Sequence, residues 1–509
     1  MSRTSFIKST FILSVATLLS KFLGAIFRIP LQNIAGDEVL GIFSMVYPIY
    51  MVALILSVAG IPLAISKLIA EARVEGNEAK VSEIYKTASI LAVLFGILSF
   101  VFIFSIAEPL SSLLGGEESK QALIIVSMTL LIAPYMAVYR GYFQGYESMT
   151  PTAASQVIEQ FVRVAVTLTI AYFLVQQGAS DDRVAAGVMV GSSVGALFSL
   201  FYLLYIFKNS PSLPKSSYSI GVFRKRSRQI LKVSIPIAVG AITMALMNFI
   251  DAVTIPYGLT RAGIEEVTYS FGIYGRGVAL VQIATVFATS LVLPLIPLVT
   301  KKLTTNESSE VRRIVKRAFT MTHLLSWPAA VGLLALALPL NLALFTNLEG
   351  SLVMAILGLS SVFTSLAVLG TGILQGLNKP GKAAMLVVLT VAIKGVLNIV
   401  VVEQTGLLGA AVVTLLIYLV LHGLNMGMIH PAVGLSNDLD RLKAFLASLM
   451  MGGAVGGPLW FLSIEEWDRL TALLYSGGAV LIGAVLYSGL LLLMKVTEAQ
   501  ALVIRLRKR

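Results

Sequence analysis

The chain has 509 residues, 57% of them hydrophobic and 13% charged, with a mean hydropathy of +0.88, whereas soluble domains carry about 25% charged residues. So much apolar surface excludes a water-soluble fold and makes lipid the solvent. The lack of cysteine excludes disulfides, thiolate metal sites and a cysteine nucleophile. Three scattered histidines, His323, His422 and His430, form no metal-binding cluster.

In chain order, apolar runs long enough to cross a ~30 Å hydrocarbon core recur near 9–30, 39–66, 84–107, 120–143, 153–176 and 184–207. A second set lies near 230–255, 270–298, 314–340, 350–373, 383–402 and 407–429, and two more near 442–463 and 471–494. The predicted fold is therefore an all-α integral membrane protein of about fourteen transmembrane helices. Arg3 and Lys8 before Phe11–Leu19 resemble a secretory signal, but Lys21 and Arg28 interrupt the run, so an uncleaved first helix is expected. Internal prolines such as Pro48, Pro62, Pro134 and Pro328 predict bent helices lining a cavity.

Basic residues concentrate in alternate loops: Lys67–Lys86, Lys208–Lys232 with the run FRKRSR, Lys301–Arg317 and the tail RLRKR. Acidic residues concentrate in the others, at Asp37, Glu38, Glu117, Glu118, Asp181, Asp182, Glu465, Glu466 and Asp468. By the positive-inside rule both termini are expected in the cytoplasm. The net charge of +12 is then read as topology and contact with anionic membrane lipids, not as nucleic-acid binding.

The chain also repeats itself. GYFQGYESMTP (Gly141–Pro151) and GILQGLNKP (Gly372–Pro380) share a GxxQG core, six spans apart, and Gln144 and Gln375 lie 231 residues apart, as do Arg163 and Lys394. A parallel repeat predicts two pseudosymmetric six-helix lobes around a central cavity. They are assigned to 1–215 and 216–430, with 431–509 holding two additional helices and a basic cytoplasmic tail.

Seven ionisable residues are assigned to the membrane interior, those near the other span ends being counted with the loops: Lys21, Arg28, Glu159, Arg163, Asp251, Arg276 and Lys394. Each costs roughly 2.5–3.5 kcal/mol at a helix centre, so they are expected to face water or one another. Glu159 and Arg163 are spaced i,i+4 and are expected to pair locally. Asp251 needs a cation from elsewhere, Lys394 or Arg276. Cations remain in surplus, which suits an anionic substrate, because guanidinium binds phosphate oxygens bidentately and Lys acts as a point charge. No HExxH or GxxxxGK[ST] is present, so no enzyme chemistry, cofactor or metal site is expected.

The segments SKFLGAIFRIPLQNIAG, RGYFQGYESMTPTAASQVIEQFVRV, MNFIDAVTIP and YGRGVALVQIATVFATSLVLPLIPLVTKK resemble the polysaccharide-transporter branch of the multidrug/oligosaccharidyl-lipid/polysaccharide (MOP) superfamily. The nearest resemblance is to the group holding stage V sporulation protein B and the lipid II flippases of Gram-positive bacteria. The resemblance implies alternating access and translocation of an undecaprenyl-diphosphate-linked sugar from the inner to the outer leaflet of a bacterial cell membrane, with cell-wall synthesis proteins as expected further partners. It implies diphosphate binding by Lys21, Arg28 and Arg276. Arg28 matches with a one-residue shift, and the cation such flippases carry in helix 2 is missing between Gly41 and Ser66. Arg163 or Lys394 is left to replace it. The resemblance also places a coupling site at Asp251, Lys394, Asn398 and Thr414, with Glu159 as a further gating candidate. Sodium is bound there in some members, and here the Lys394 ammonium is expected to take its place beside Asp251. Alternatives are a flippase for another lipid-linked polysaccharide unit, a drug or cation antiporter of the same superfamily, and a non-transporting scaffold.

Overall fold

The computed structural model describes residues 3–58, 60–114, 116–210, 218–434 and 439–500, with side chains from Phe11 onward save for several in the helices over 220–304. The basic tail beyond Gln500 lies outside the described residues. Among those described, the chain is helical with no strand. The helices are α1 (Arg3–Ile26), α2 (Arg28–Val58), α3 (Ile61–Val74), α4 (Glu78–Leu113), α5 (Glu118–Ser127), α6 (Thr129–Gly145), α7 (Thr150–Gln176) and α8 (Asp181–Lys208). They continue as α9 (Ile220–Arg261), α10 (Val267–Thr304), α11 (Ser308–Ala335), α12 (Ala337–Phe345), α13 (Ser351–Gly376), α14 (Pro380–Val433), α15 (Leu439–Gly456) and α16 (Arg469–Leu493).

Ten helical stretches among the described residues are long and apolar enough to cross a bilayer. Two contain a sharp break, at Gly36 in α2 (φ 82°) and at Gly406 in α14 (φ 62°), backbone angles that glycine adopts without a Cβ penalty. Reading each of these as two crossings, and adding the long α9 and α10, is consistent with fourteen. Several expected spans are themselves interrupted. The run at 39–66 breaks around Gly60 (φ 68°) and restarts with Pro62 in the first turn of α3, where a missing N–H costs nothing. The run at 120–143 breaks at Met128, six residues before Pro134, and the run at 314–340 breaks at Leu336, three before Pro339. Pro62 and Pro339 each lack the N–H that would have bonded four residues back, at the last residue of α2 and of α11, whereas Pro134 lies inside α6, past the break.

Contacts along the chain separate two compact units, Met1–Thr260 with Ile264–Gly272, and Arg261–Gly263 with Ile273–Arg509. The first has a core of α3, α4, α6 and α8 centred on Ile61, Ile65, Ile69, Val138, Tyr139 and Leu203. Within it, Gly191 and Gly195 of α8 lie against α7 so closely that a Cβ on Gly195 would stand 2.6 Å from the Glu159 carbonyl oxygen. This small-residue packing lets membrane helices approach backbone to backbone. The second unit has a core of α11, α15 and α16 around Leu324, Ala447, Met451, Tyr487 and Leu491.

The GxxQG repeat is visible in each unit separately. Gly141 and Gly145 close the end of α6 onto α3, where Cβ atoms would meet the Pro62 carbonyl oxygen at 2.7 Å and Ile69 Cβ at 2.8 Å. Gly372 and Gly376 close the end of α13 onto α10, against Val292 and Val299. Each helix then ends the same way. Glu147 (φ 60°) and Asn378 (φ 59°) adopt the left-handed conformation, and Ser148 N donates to Phe143 O at 3.0 Å as Lys379 N does to Leu374 O at 2.9 Å. Both pairs keep the 231-residue spacing, so the repeat extends from sequence to a shared helix-termination geometry.

Candidate functional site

In the first unit, α1 packs on α7 through polar contacts. Thr17 donates to Gln156 at 3.0 Å, and Gln160 donates to the Ser20 carbonyl at 3.1 Å. Gly24, one turn beyond the half-buried Lys21, leaves room for the Arg163 side chain: a Cβ there would stand 3.1 Å from Arg163 Nη2. Arg163 Nη1 donates to the Tyr47 hydroxyl at 2.9 Å. Its guanidinium lies 5.6 Å from the Tyr47 ring centre and 5.7 Å from that of Phe27. Arg28, only 3% exposed, lies 6.0 Å from the same Tyr47 ring and 5.4 Å from Phe43.

Two guanidinium groups thus share one tyrosine on α2, inside an aromatic wall in which Phe43 stacks on Tyr47 with centroids 5.1 Å apart. Cation–π attraction offsets part of the cost of removing both from water. Among the described residues neither forms an ion pair, and the Nε of each is buried without a hydrogen-bond partner. Such donors cost about 1–3 kcal/mol each when left unmet, so an oxyanion reaching them would be favoured. Arg28 is therefore no interfacial arginine reaching for water. Asp37, expected in an outer loop, is likewise buried and accepts from Gln32 at 3.0 Å.

The expected Glu159–Arg163 pair does not form. Glu159 accepts instead from Arg140 Nη2 at 2.7 Å. Arg140, at the end of α6, is held there by Ser155 at 2.9 Å and by Ser199 of α8 at 3.1 Å. The reason is tertiary: Gly195 brings α8 against the α7 backbone at Glu159, and the better-anchored arginine of α6 takes the carboxylate. The result leaves Arg163 with an aromatic partner in place of an anion. Arg140 was missed in the sequence because it sits at a helix end, where a cation looks like a topology signal.

Asp251, on α9, is buried in the first unit, and Lys394 belongs to the second. In the second unit Arg276 is 1% exposed. Its Nη1 donates to Asn347 at 2.7 Å and Asn341 at 3.3 Å, with Phe345 5.4 Å from the guanidinium. Asn341 in turn donates to the Glu349 carbonyl at 2.7 Å and to Ser351 at 2.9 Å, so Arg276 fastens the turn between α12 and α13. Lys394 and Asn398, one turn apart on α14, are fully buried. The Lys394 ammonium lies 5.5 Å from the Tyr418 ring, and Thr414, one turn before Tyr418, shares a 2.9 Å hydrogen bond with Tyr274. The polar positions expected on the two halves of α14 therefore do come together. Among the described residues no group of acids and histidines could hold a metal ion.

The family model described as polysaccharide biosynthesis protein matches residues 6–301. The chain belongs to this family. It is 30% identical to the uncharacterized membrane protein YabM of Bacillus subtilis, over 94% of this chain and 91% of that one. It is 26% identical to the lipid II flippase MurJ of Bacillus subtilis, over 95% and 94% of the two chains. A solved lipid II flippase MurJ in an inward closed conformation matches with a TM-score of 0.66 at 14% identity, covering 96% of this chain and 98% of that one. That match establishes a MurJ-like multi-pass membrane fold, and membership in the family makes the chain one of a group that includes lipid-linked precursor flippases.

Proposed function

We propose that the chain is a flippase carrying an undecaprenyl-diphosphate-linked cell-wall precursor, lipid II, from the inner to the outer leaflet by alternating access, with both termini cytoplasmic. The observation that carries this reading is the pair of guanidinium groups of Arg28 and Arg163 on Tyr47, with Glu159 engaged by Arg140. A site with two cations and its nearest carboxylate occupied elsewhere attracts an anion and repels the cationic substrates of a drug antiporter. Lys21, Arg28 and Arg163 are the cations we assign to the diphosphate, Arg163 standing in for the cation missing between Gly41 and Ser66, where it touches Tyr47. Arg276 is assigned a diphosphate role, and Asp251, Lys394 and Asn398 a coupling role, on the family resemblance.

These cations would read the diphosphate and not the sugar, so a flippase for another lipid-linked polysaccharide unit would use the same groups. The test is complementation in a Gram-positive strain depleted of its lipid II flippase. Wild-type chain is expected to restore growth, and Arg28→Glu or Arg163→Glu to fail at equal protein level, with Arg163→Lys partly active. Growth supported by both charge reversals would sink the diphosphate assignment. Failure of the wild type, with rescue of a strain lacking a different polysaccharide flippase, would redirect the substrate.

A further inference from the structure

Beside the paired guanidinium groups of the first unit runs a seam of amides. On α7, Gln156, Gln160 and Arg163 follow one another at the spacing of one helical face. That face meets α1, where Thr17 donates to Gln156 Oε1 at 3.0 Å and Gln160 Nε2 donates to the Ser20 carbonyl at 3.1 Å. Gly24 marks the point at which the seam reaches the cations. A Cβ there would stand 2.8 Å from Gln160 Nε2 and 3.1 Å from Arg163 Nη2, so the amide and the guanidinium flank the same bare stretch of α1.

The bond to Ser20 fixes how the Gln160 amide is turned, with its N–H engaged by α1. Among the described residues, the other end of that amide, Oε1, is buried without a hydrogen-bond partner, and so is Ser20 Oγ across the seam. Buried polar atoms in this state are unfavourable. The two helices therefore present one unengaged acceptor and one unengaged hydroxyl donor. The complement of that pair is a secondary amide, its N–H directed to Gln160 and its carbonyl to Ser20.

We propose, resting on the flippase reading above, that Gln160 and Ser20 select a lipid-linked sugar bearing a 2-acetamido group. Such a sugar carries its acetamido group on the ring carbon next to the one bonded to the diphosphate. Residues three apart on a helix have Cβ atoms about 5–6 Å apart, so a diphosphate held by Arg163 sets the neighbouring acetamido group beside Gln160. A hydroxyl at the same carbon offers donor and acceptor on a single atom and does not span two helices. The cations thus read the diphosphate common to all such lipids, and the amide seam reads the first sugar. Two hydrogen bonds close the seam here, and its unengaged groups come within reach as α1 moves off α7 around the sugar. A site built to bond a substrate N–H rejects the analogue without it, because its own polar groups are then left unmet.

The test is a competition on the purified full-length protein in detergent, read by native mass spectrometry, between undecaprenyl-diphosphate-linked N-acetylglucosamine and its glucose counterpart. The wild type is expected to prefer the acetamido lipid about tenfold, the effect of one net hydrogen bond. Gln160→Leu should bring the two lipids to equal affinity. Ser20→Ala keeps the backbone carbonyl that orients Gln160 and should cut the preference to about threefold, since it removes one of the two contacts. Arg163→Ala should weaken both lipids alike and leave their ratio as it was. Equal affinity of the wild type for both lipids, or a tenfold preference surviving in both Gln160→Leu and Ser20→Ala, would overturn the proposal. Binding of neither lipid by the wild type would overturn the flippase reading with it, whereas binding of both without preference overturns the sugar assignment alone.

Discussion

Replacing Glu159 by Gln keeps the shape of the side chain and removes its charge, which isolates the Arg140 bridge. The bridge is 2.7 Å long between side chains 15% and 27% exposed. A charge-assisted hydrogen bond contributes about 1.5–3 kcal/mol when shielded, and a fully exposed pair about 0–1. Partial exposure places the expected loss at about 1–2 kcal/mol. Ser155 and Ser199 keep Arg140 in position, so the variant strands a fixed guanidinium instead of releasing a mobile one. A double-mutant cycle on purified protein, with unfolding followed in mixed micelles, should give a Glu159–Arg140 coupling of about 1–2 kcal/mol and a Glu159–Arg163 coupling below about 0.5 kcal/mol. A larger coupling to Arg163 would restore the local pair expected from the i,i+4 spacing and would remove the reason for treating Arg163 as available to an anion.

Gly24→Leu should displace the Arg163 side chain that now occupies that space and should reduce complementation as strongly as Arg163→Ala, at normal expression. A Cβ on Gly272 would overlap the Asp37 carbonyl oxygen, a backbone atom that cannot yield, whereas Gly423 faces open space. Gly272→Ala is therefore expected to lose about 2–3 kcal/mol or more and to show poor yield in a membrane expression screen, with Gly423→Ala near neutral. Arg276→Lys keeps the charge but lacks the fork that reaches Asn341 and Asn347, and thermal melting should show a loss of about 1–3 kcal/mol. Asp468 caps α16 by accepting from Thr471 N at 2.9 Å, and the Thr471 side chain together with that N–H holds its carboxyl below its ordinary value. That contribution is present at neutral pH and lost as pH falls through the lowered value, so Asp468→Asn should flatten the acid limb of the stability profile.

The long apolar runs and the GxxQG repeat were legible in the sequence because both depend on local chemistry: hydropathy sets the spans, and the paired glycines set the helix ends at Glu147 and Asn378. Arg28, Arg163 and Lys394 were recognisable as buried cations because the membrane makes any charge in a span conspicuous. Their partners were not recognisable. Glu159 had a cation four residues away on its own helix and took one from another, because helix packing at Gly195 decides which side chains can meet. Tyr47 and Phe43 carried no signal in a chain where aromatic residues are ordinary span residues, and their importance follows only from the guanidinium groups lying against them. The helix breaks at Gly60 and Leu336 had a signal in the following prolines, but one that does not say whether a membrane helix bends or stops.

The most direct measurement is a leaflet-accessibility assay on proteoliposomes holding the purified chain and fluorescent lipid II. The account predicts protein-dependent exchange of lipid II between leaflets, abolished in Arg28→Glu and Arg163→Glu and retained in Gly423→Ala. Exchange at the wild-type rate in both charge-reversed proteins would contradict it.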